Sequence, residues 1–245
     1  MAKQIAQSTR VYYAGYDLGT ATRQWSIELA VDALDPTSIN DAGERVLAGA
    51  RKDKFTWAGL FDSSLSAEAI GSALVGGTPN ILTVTLGSGT AAVAFIGSAL
   101  QIASKPAAKI GELVDLTAAY AIDGSYTKGR SFGQATSIGT GSFSGTMDQN
   151  GMDGISATGN TSGFSLVVQF ISAELGSGTG IGSLRIQHCN DGTGWANVAG
   201  TMLLSGAPTA LILTSTATLN RFVMLLSTGT AGSLTFNAVL VRNIP

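Results

Sequence analysis

The sequence has few charges, cysteines, histidines and prolines. Of its 245 residues 12% are charged, and it contains one Cys, one His and five Pro. Soluble proteins carry about 25% charged residues, so a free monomer with this composition would be poorly soluble. One cysteine excludes an internal disulfide, and a net charge of −2 disfavours nucleic-acid binding through phosphate neutralisation. We therefore expect a subunit whose flanks are buried in an assembly.

Long apolar runs are also missing. Residues 1–7 lack the apolar core of a secretory signal, and no window approaches the roughly 18 apolar residues that a membrane span needs. The sequence therefore predicts a soluble protein that is made in the cytoplasm and has no contact with a membrane.

Alternation of apolar and polar residues predicts strands in the first half of the chain. These strands are expected at residues 25–32, 55–61, 81–86, 91–96 and 113–122. The one convincing helix is predicted over 64–74, with Ser66 as its N-cap and Gly76 and Gly77 after its end. The pattern favours a β-sandwich or barrel with one short helix packed on it.

The second half predicts strands and turns throughout. Its strand candidates are 164–170, 184–188, 210–213, 221–226 and 234–241, spaced as in an antiparallel β-sandwich. Three of the 14 Lys and Arg and four of the 16 Asp and Glu lie in residues 131–245. This shift in charge, at the run 124–130, predicts two domains, 1–130 and 131–245. The fold class is therefore predicted as mainly β.

Candidate catalytic residues are scarce. His188 is next to Cys189 in a predicted strand, and adjacent strand residues point to opposite faces, so the two do not form a nucleophile and base pair. We expect Cys189 to be a small core or loop residue. Residues 139–145 are rich in glycine but lack the preceding strand and following helix of a phosphate-binding loop, so they predict turns.

Two further features each have a structural and a functional interpretation. Asp148 and Asp153 lack the spacing and the closing Glu of a calcium loop, and turn formation at Asn150 and Gly151 explains them, with a fortuitous calcium site as the alternative. Trp195 follows a glycine-rich turn and favours a core aromatic, with a sugar-binding platform as the alternative. We expect no enzyme activity, no metal site and no cofactor.

A long polar connection, residues 36–54, separates the first two predicted strands. Such a length indicates a functional or a disordered segment. Its charges, of both signs, suit a contact that fixes the register of a partner subunit, and the alternative is a solvated hairpin tip. The residues proposed for this inter-subunit contact are Asp35, Asp41, Glu44, Arg45, Arg51, Lys52, Asp53 and Lys54.

Residues 8–130 resemble the major tail tube proteins of long-tailed, non-contractile (siphovirus-type) bacteriophages. The resemblance lies in the segments VYYAGYDL at 11–18, VDALD at 31–35 and WAGLFD at 57–62, and in the predicted helix after them. The connection 106–114 and the strand that ends at Asp123 and Gly124 also match. The second half resembles the β-rich C-terminal part of some tail proteins, in 184–188, 191–195, 220–223 and 236–239.

The resemblance implies a structural virion protein. Members of the group form rings, usually of six subunits, that stack into a hollow tube which conducts DNA during ejection. The long loop after the first core strand contacts the adjacent ring, which places that contact at 36–54 here. The implied partners are copies of the same chain, other tail proteins, and the tape measure protein and transiting DNA in the lumen, without specific DNA binding. The implied location is the virion tail, after synthesis in the host bacterial cytoplasm.

Three alternatives stay open at this point. Rings of three would follow if both halves of the chain build the tube wall, while an outward-facing second half would be an accessory or decoration domain. A capsid or tail decoration protein is the second candidate function. A carbohydrate-binding β-sandwich for attachment to the host is the third.

Overall fold

The computed structural model describes residues 9–34, 47–60, 77–87, 89, 91–107, 114–138, 143–148, 163–174, 182–190, 193–204, 209–217, 219, 222–229 and 233–242. Within these ranges lie sixteen strands and no helix. The first eight strands are β1 (Thr9–Tyr13), β2 (Tyr16–Asp17), β3 (Thr22–Glu28), β4 (Val31–Leu34), β5 (Leu47–Arg51), β6 (Lys54–Leu60), β7 (Asn80–Leu86) and β8 (Ala92–Ala107). The others are β9 (Asp115–Ile138), β10 (Phe143–Asp148), β11 (Phe164–Glu174), β12 (Gly182–Cys189), β13 (Ala196–Leu204), β14 (Thr209–Ser215), β15 (Phe222–Gly229) and β16 (Ser233–Arg242).

The strands form three sheets. Ten strands join in one sheet in the order β14-β11-β16-β9-β8-β7-β1-β2, with β6 also paired to β9 and β3 paired to β6. A second sheet has the order β10-β15-β12-β13, and β4 and β5 form a separate two-stranded sheet. β11 pairs antiparallel with β16, and β12 pairs antiparallel with β15. The predicted fold class, mainly β, is confirmed.

The chain divides into two compact units whose segments interleave. Unit 1 contains residues 1–17, 83–96 and 127–245, and unit 2 contains residues 18–82 and 97–126. The predicted division into 1–130 and 131–245 is sequential. It stays a prediction about which parts of the chain fold independently.

Unit 1 is a sandwich of two sheets. Phe164, Leu166, Val168 and Phe170 occupy alternate positions of β11, so they share one face of the sheet. They pack in one core cluster with Leu184 and Ile186 of β12, Val223 of β15, and Phe236, Ala238 and Leu240 of β16. Burial of these side chains, each worth about 1.5–3 kcal/mol for the large aliphatic and aromatic ones, holds the two sheets together.

A polar residue on β11 connects three parts of unit 1. The buried Gln169 accepts a hydrogen bond from the Gly15 amide at 2.8 Å and donates one to the Thr83 hydroxyl at 2.9 Å. Ala14 and Gly15 both have positive φ, 52° and 88°, and connect the paired residues Tyr13 and Tyr16 as a two-residue hairpin turn. Because a buried amide must find partners, Gln169 fixes this turn against β11 and β7.

Several predicted connections are strands in the structure. The run 124–130 lies inside the 24-residue strand β9, and Pro106 lies at the exposed end of β8 rather than in a connection. The last three residues of the run 139–145, predicted as turns, lie in β10. These strands pair with partners distant in sequence, β16 with β9 and β15 with β10, so local propensity did not reveal them. The predicted helix 64–74 lies outside the described residues.

Replacing Gly15 by Ala should destabilise the protein strongly. A Cβ atom at Gly15 would lie 2.1 Å from the Thr209 amide nitrogen, in addition to the strain of a φ of +88°. We expect a loss of about 3 kcal/mol or more in the free energy of unfolding, measured by urea denaturation. Gly124 is the matched control, because its φ is +82° but no atom lies within 4 Å of the added Cβ. Gly124→Ala should cost about 1 kcal/mol, and equal losses for both variants would contradict the close approach at Gly15.

Candidate assembly interface

The predicted contact segment 36–54 ends at Lys54, the first residue of β6, which lies in a three-strand part of unit 2. β6 pairs with β3 on one side and with β9 on the other, with Trp57 opposite both Trp25 and Ala118. Phe55 and Trp57 are fully buried while Lys54 and Thr56 are exposed, the period-2 pattern of a strand with one covered face.

β3 has β6 as its one neighbour among the described strands. The buried Trp57 holds it in place: the indole Nε1 donates to the Thr22 hydroxyl at 2.7 Å, and that hydroxyl donates to the Leu18 carbonyl at 2.6 Å. Gln24, Ser26 and Glu28 of β3 are exposed. The other backbone edge of β3 therefore has no partner strand within the described part of the chain, and an open edge invites pairing with another chain.

Beyond β3 the chain leaves this sheet and forms a hairpin arm. We use "the arm" for strands β4 and β5, which pair antiparallel with Val31 opposite Arg51 and Leu34 opposite Leu47. The predicted single strand 25–32 is thus interrupted at Leu29 and Ala30. The predicted loop 36–54 is also corrected, since residues 47–51 form β5 and Lys54 begins β6. The residues between β4 and β5 lie outside the described part.

Asp53 organises the base of the arm. Its Oδ1 accepts a hydrogen bond from the Ala30 amide at 3.2 Å, and its Oδ2 lies 2.9 Å from Nη2 of Arg51. The main chain adds two bonds, from the Lys52 amide to the Ala30 carbonyl at 2.8 Å and from the Ile122 amide to the Asp53 carbonyl at 3.1 Å. Three of these bonds join the entry and the exit of the arm, and the fourth joins Asp53 to β9.

The structure places four of the eight predicted contact residues, and they differ in character. Arg51, Lys52 and Lys54 are exposed, whereas the Asp53 side chain is fully buried. Arg51 pairs with Asp53, and Lys52 pairs with Asp32 at 2.8 Å. Asp53 therefore has a role inside its own chain, while a role of the exposed residues in an inter-subunit contact stays a prediction. The four predicted residues outside the described part are Asp35, Asp41, Glu44 and Arg45.

The buried charge also acts on a neighbouring tyrosine. Burial in the first place, and the negative charge of Asp53 in the second, raise the pKa of Tyr126 above its ordinary value. The Tyr126 phenol therefore stays protonated, and neutral, throughout the physiological pH range.

Two apolar residues at the base of the arm were not among the predicted contacts. Leu29 is 59% exposed and Val31 is 51% exposed, and within the described ranges Ile102 and Ile212 are the other large hydrophobic residues exposed to this extent. The sequence carries the signal in part, because Trp25, Ile27, Leu29 and Val31 alternate as one apolar face. β3 ends at Glu28, and Leu29 and Val31 beyond it are more exposed than the half-buried Trp25 and Ile27.

The other candidate residues lie in unit 1. Cys189 is buried and free, as predicted for a core residue, and adjacent His188 is half-buried. Trp195 is half-buried and directly precedes β13. Asp148 ends β10, while Asp153 lies outside the described residues. Among the residues that the structure describes, no three His, Cys, Asp or Glu side chains are grouped to hold a metal ion, and no helix is long and apolar enough to span a membrane.

Comparisons with known proteins return structures but no sequence family. No protein-family profile matches the chain, and no curated protein sequence matches it. A chain from the tail of an empty gene transfer agent particle with C6 symmetry is 18% identical, with a TM-score of 0.43, over 51% of this chain and 98% of that one. A chain from the sheath-tube complex of an extracellular contractile injection system is 10% identical, with a TM-score of 0.41, over 51% and 90%. The Dit protein of phage SPP1, a hub protein of an adsorption apparatus, is 12% identical, with a TM-score of 0.33, over 96% and 99%.

These neighbours are components of virion tails or of injection systems with a tube. At such TM-scores and identities, the likeness does not by itself assign a function to this chain.

Replacing Thr22 by Val should weaken the attachment of β3. The substitution removes the acceptor for the buried Trp57 indole N–H, and leaving a buried donor unsatisfied costs about 1–3 kcal/mol. Thr56→Val is the matched control, because Thr56 is exposed on the adjacent strand, and it should change the free energy of unfolding by less than about 0.5 kcal/mol. Both free energies of unfolding are measured by urea denaturation followed by tryptophan fluorescence. An unchanged free energy of unfolding in Thr22→Val would contradict the role of this bond.

Proposed function

We propose that this chain is a structural protein of a bacteriophage tail, without catalytic activity or cofactor. More specifically, we propose that copies form rings that stack into the hollow tube through which DNA passes during ejection. The observation that carries this proposal is the arm: a hairpin in a sheet of its own, bonded at its base to β9, with exposed apolar residues beside it. The segment is also the one that the sequence resemblance assigns to contact with an adjacent ring.

The arm has the features of a contact element. Leu29 and Val31 are exposed, whereas Trp25 and Ile27 of the preceding strand are half-buried. Burying an exposed Leu or Val side chain against a partner is worth about 1.5–3 kcal/mol. Around them lie the exposed charges of Asp32, Arg51 and Lys52, as in the polar rim that surrounds the apolar centre of an interface. We infer that the apolar pair supplies affinity and that the charges fix orientation.

The open edge of β3 and the low charge of the chain support the same function. Strand pairing between copies in a closed ring would cover edges that are hazardous in a monomer. A wall that conducts DNA must not retain phosphate groups, and a net charge of −2 is compatible with this requirement.

A tube subunit would have defined partners and a defined location. Six copies per ring is the expected number for one tube-forming domain per chain, and the chain would reside in the virion tail. Its further partners would be other tail proteins at the ends of the tube, and the tape measure protein and transiting DNA in the lumen.

The purified protein should form hollow filaments when it is concentrated. Negative-stain electron microscopy and sedimentation over a concentration series provide the test, with the tail tube predicted to appear as stacked rings of uniform diameter. Particles that stay monomeric or trimeric until capsids are added would instead favour a decoration protein. Glycan binding that Trp195→Ala abolishes in a folded protein would favour host attachment.

The double variant Leu29→Ser, Val31→Ser should assemble poorly while it remains folded. Both side chains are about half exposed in the isolated chain, so the free energy of unfolding should change by less than about 1 kcal/mol. If the pair is buried between copies, the concentration needed for assembly should rise about tenfold or more.

Ile212→Ser is the control for that experiment, because Ile212 is 56% exposed but lies in β14 of unit 1. It corrects for a general loss of exposed apolar surface. Equal effects of the control and the double variant on assembly would contradict a specific contact at the base of the arm.

A further inference from the structure

Asp53 is unusual among the charged residues of the chain. Among the charged residues whose burial the structure describes, it is the one that is buried, with its side chain entirely inaccessible. Taking a carboxylate out of water is costly unless hydrogen bonds and an opposite charge compensate. A buried carboxylate in a chain with so few charges therefore calls for a specific role.

The carboxylate connects both strands of the arm at their base. One oxygen accepts from the amide of Ala30, which directly precedes β4, and the other lies 2.9 Å from the guanidinium of Arg51, the last residue of β5. The Asp53 carbonyl accepts from the amide of Ile122 in β9. A single residue thus joins the entry of the arm, its exit and the adjacent strand.

Within the described residues of the arm, the other bond at its base runs from the Lys52 amide to the Ala30 carbonyl. β4 has four residues and β5 has five, and their register shifts between Val31 and Ala33. Isolated two-stranded sheets are marginally stable in water. Among the bonds that the structure gives for the arm, the Lys52–Asp32 ion pair joins two exposed side chains, and exposed pairs contribute little.

We propose that Asp53 is a positioning residue, which holds the arm at a fixed angle and thereby prepares it to contact a second copy of the chain. Its effect on the direction and order of the arm follows from the geometry of the base alone. Its effect on assembly rests on the proposed tube function. The Arg51 side chain is 44% exposed, so water can solvate it, and the pair is not needed merely to neutralise Arg51.

Asp53→Asn tests this role, with Asp32→Asn as its matched control. Both variants convert a carboxylate of the same segment to an amide and remove one charge and one ion pair. In Asp53→Asn, however, the new NH2 group must face either the Ala30 amide or the Arg51 guanidinium, both of which are donors. In Asp32→Asn the altered pair is exposed.

The measurement is amide hydrogen exchange by mass spectrometry on the unassembled full chain at neutral pH. We expect exchange in β4 and β5 to accelerate about tenfold or more in Asp53→Asn, because a buried hydrogen bond to a charged group is lost, and to change less than about twofold in Asp32→Asn. Exchange in β11 and β16 reports on global stability and should stay as in the parent chain. Unchanged exchange in the arm of a folded Asp53→Asn protein would overturn the proposal, and so would equal acceleration in the two variants.

A second variant covers the case in which Asp53→Asn does not fold. Arg51→Ala removes one of the two side-chain bonds but leaves the Ala30 amide bonded to the carboxylate. Exchange in the arm should accelerate here too, by a smaller factor than in Asp53→Asn where both variants fold. Unchanged amide exchange in the arm of Arg51→Ala would contradict a role of the Asp53–Arg51 bond in ordering the arm.

Assembly is measured separately on the same proteins. A rise in the concentration that Asp53→Asn needs to form filaments, together with faster exchange in the arm, supports both the positioning role and its use in assembly. Faster exchange with unaltered filaments would leave Asp53 as the residue that orders the arm but would contradict its preparation of the arm for a second copy. Absence of filaments from the parent chain would overturn the tube function and leave the exchange result standing.

Discussion

Backbone pairing along β9 is the constraint on which most of the structure depends. Residues 115–121 of this strand pair with β6, and residues 130–138 pair with β16. At one end of β9 the hydrogen-bonded strand order continues to β6 and then β3. At the other end it continues to β16, then β11 and then β14. A shift of one residue in β9 would turn its buried side chains, such as Leu116, Ala118 and Tyr120, to the opposite face. The register of β9 is therefore set by the cores on which its two ends pack.

The base of the arm is stabilised by different interactions from those that stabilise the sandwich of unit 1. Unit 1 is held by a large apolar cluster, and the buried Gln169 finds hydrogen-bond partners in Gly15 and Thr83. At the base of the arm the roles are reversed, because a buried carboxylate supplies the cohesion and the large apolar residues Leu29 and Val31 are exposed. Charge-assisted hydrogen bonds are directional, so such a base fixes an angle, and exposed apolar groups are available for a partner. This combination is what the proposed tube subunit needs from its contact element.

The sequence predicted those parts of the fold in which local pattern and tertiary burial agree. Alternation located β6, β7, β11 and β16 because each has a covered face. It missed β5, whose sequence LAGAR has no alternating pattern. It also did not show that the run 124–130, where glycine and charge interrupt the pattern, lies inside the strand β9. Asp53 was interpreted as one of eight contact charges because charges of both signs suit a contact that fixes the register of a partner. Its bonds to Ala30 and Ile122 join residues that sequence spacing does not bring together. The charge pattern drew attention to the segment that contains the base of the arm, and the contact role of that segment stays a prediction.

The most direct test of the account is a cryo-EM helical reconstruction of filaments grown from the purified chain. We predict a hollow tube of stacked rings in which Leu29 and Val31 of every copy are buried against a neighbouring copy, with the Asp53 carboxylate still bonded to Ala30 and Arg51 of its own chain. A map in which the arm touches nothing beyond its own chain, with Leu29 and Val31 facing solvent, would contradict it.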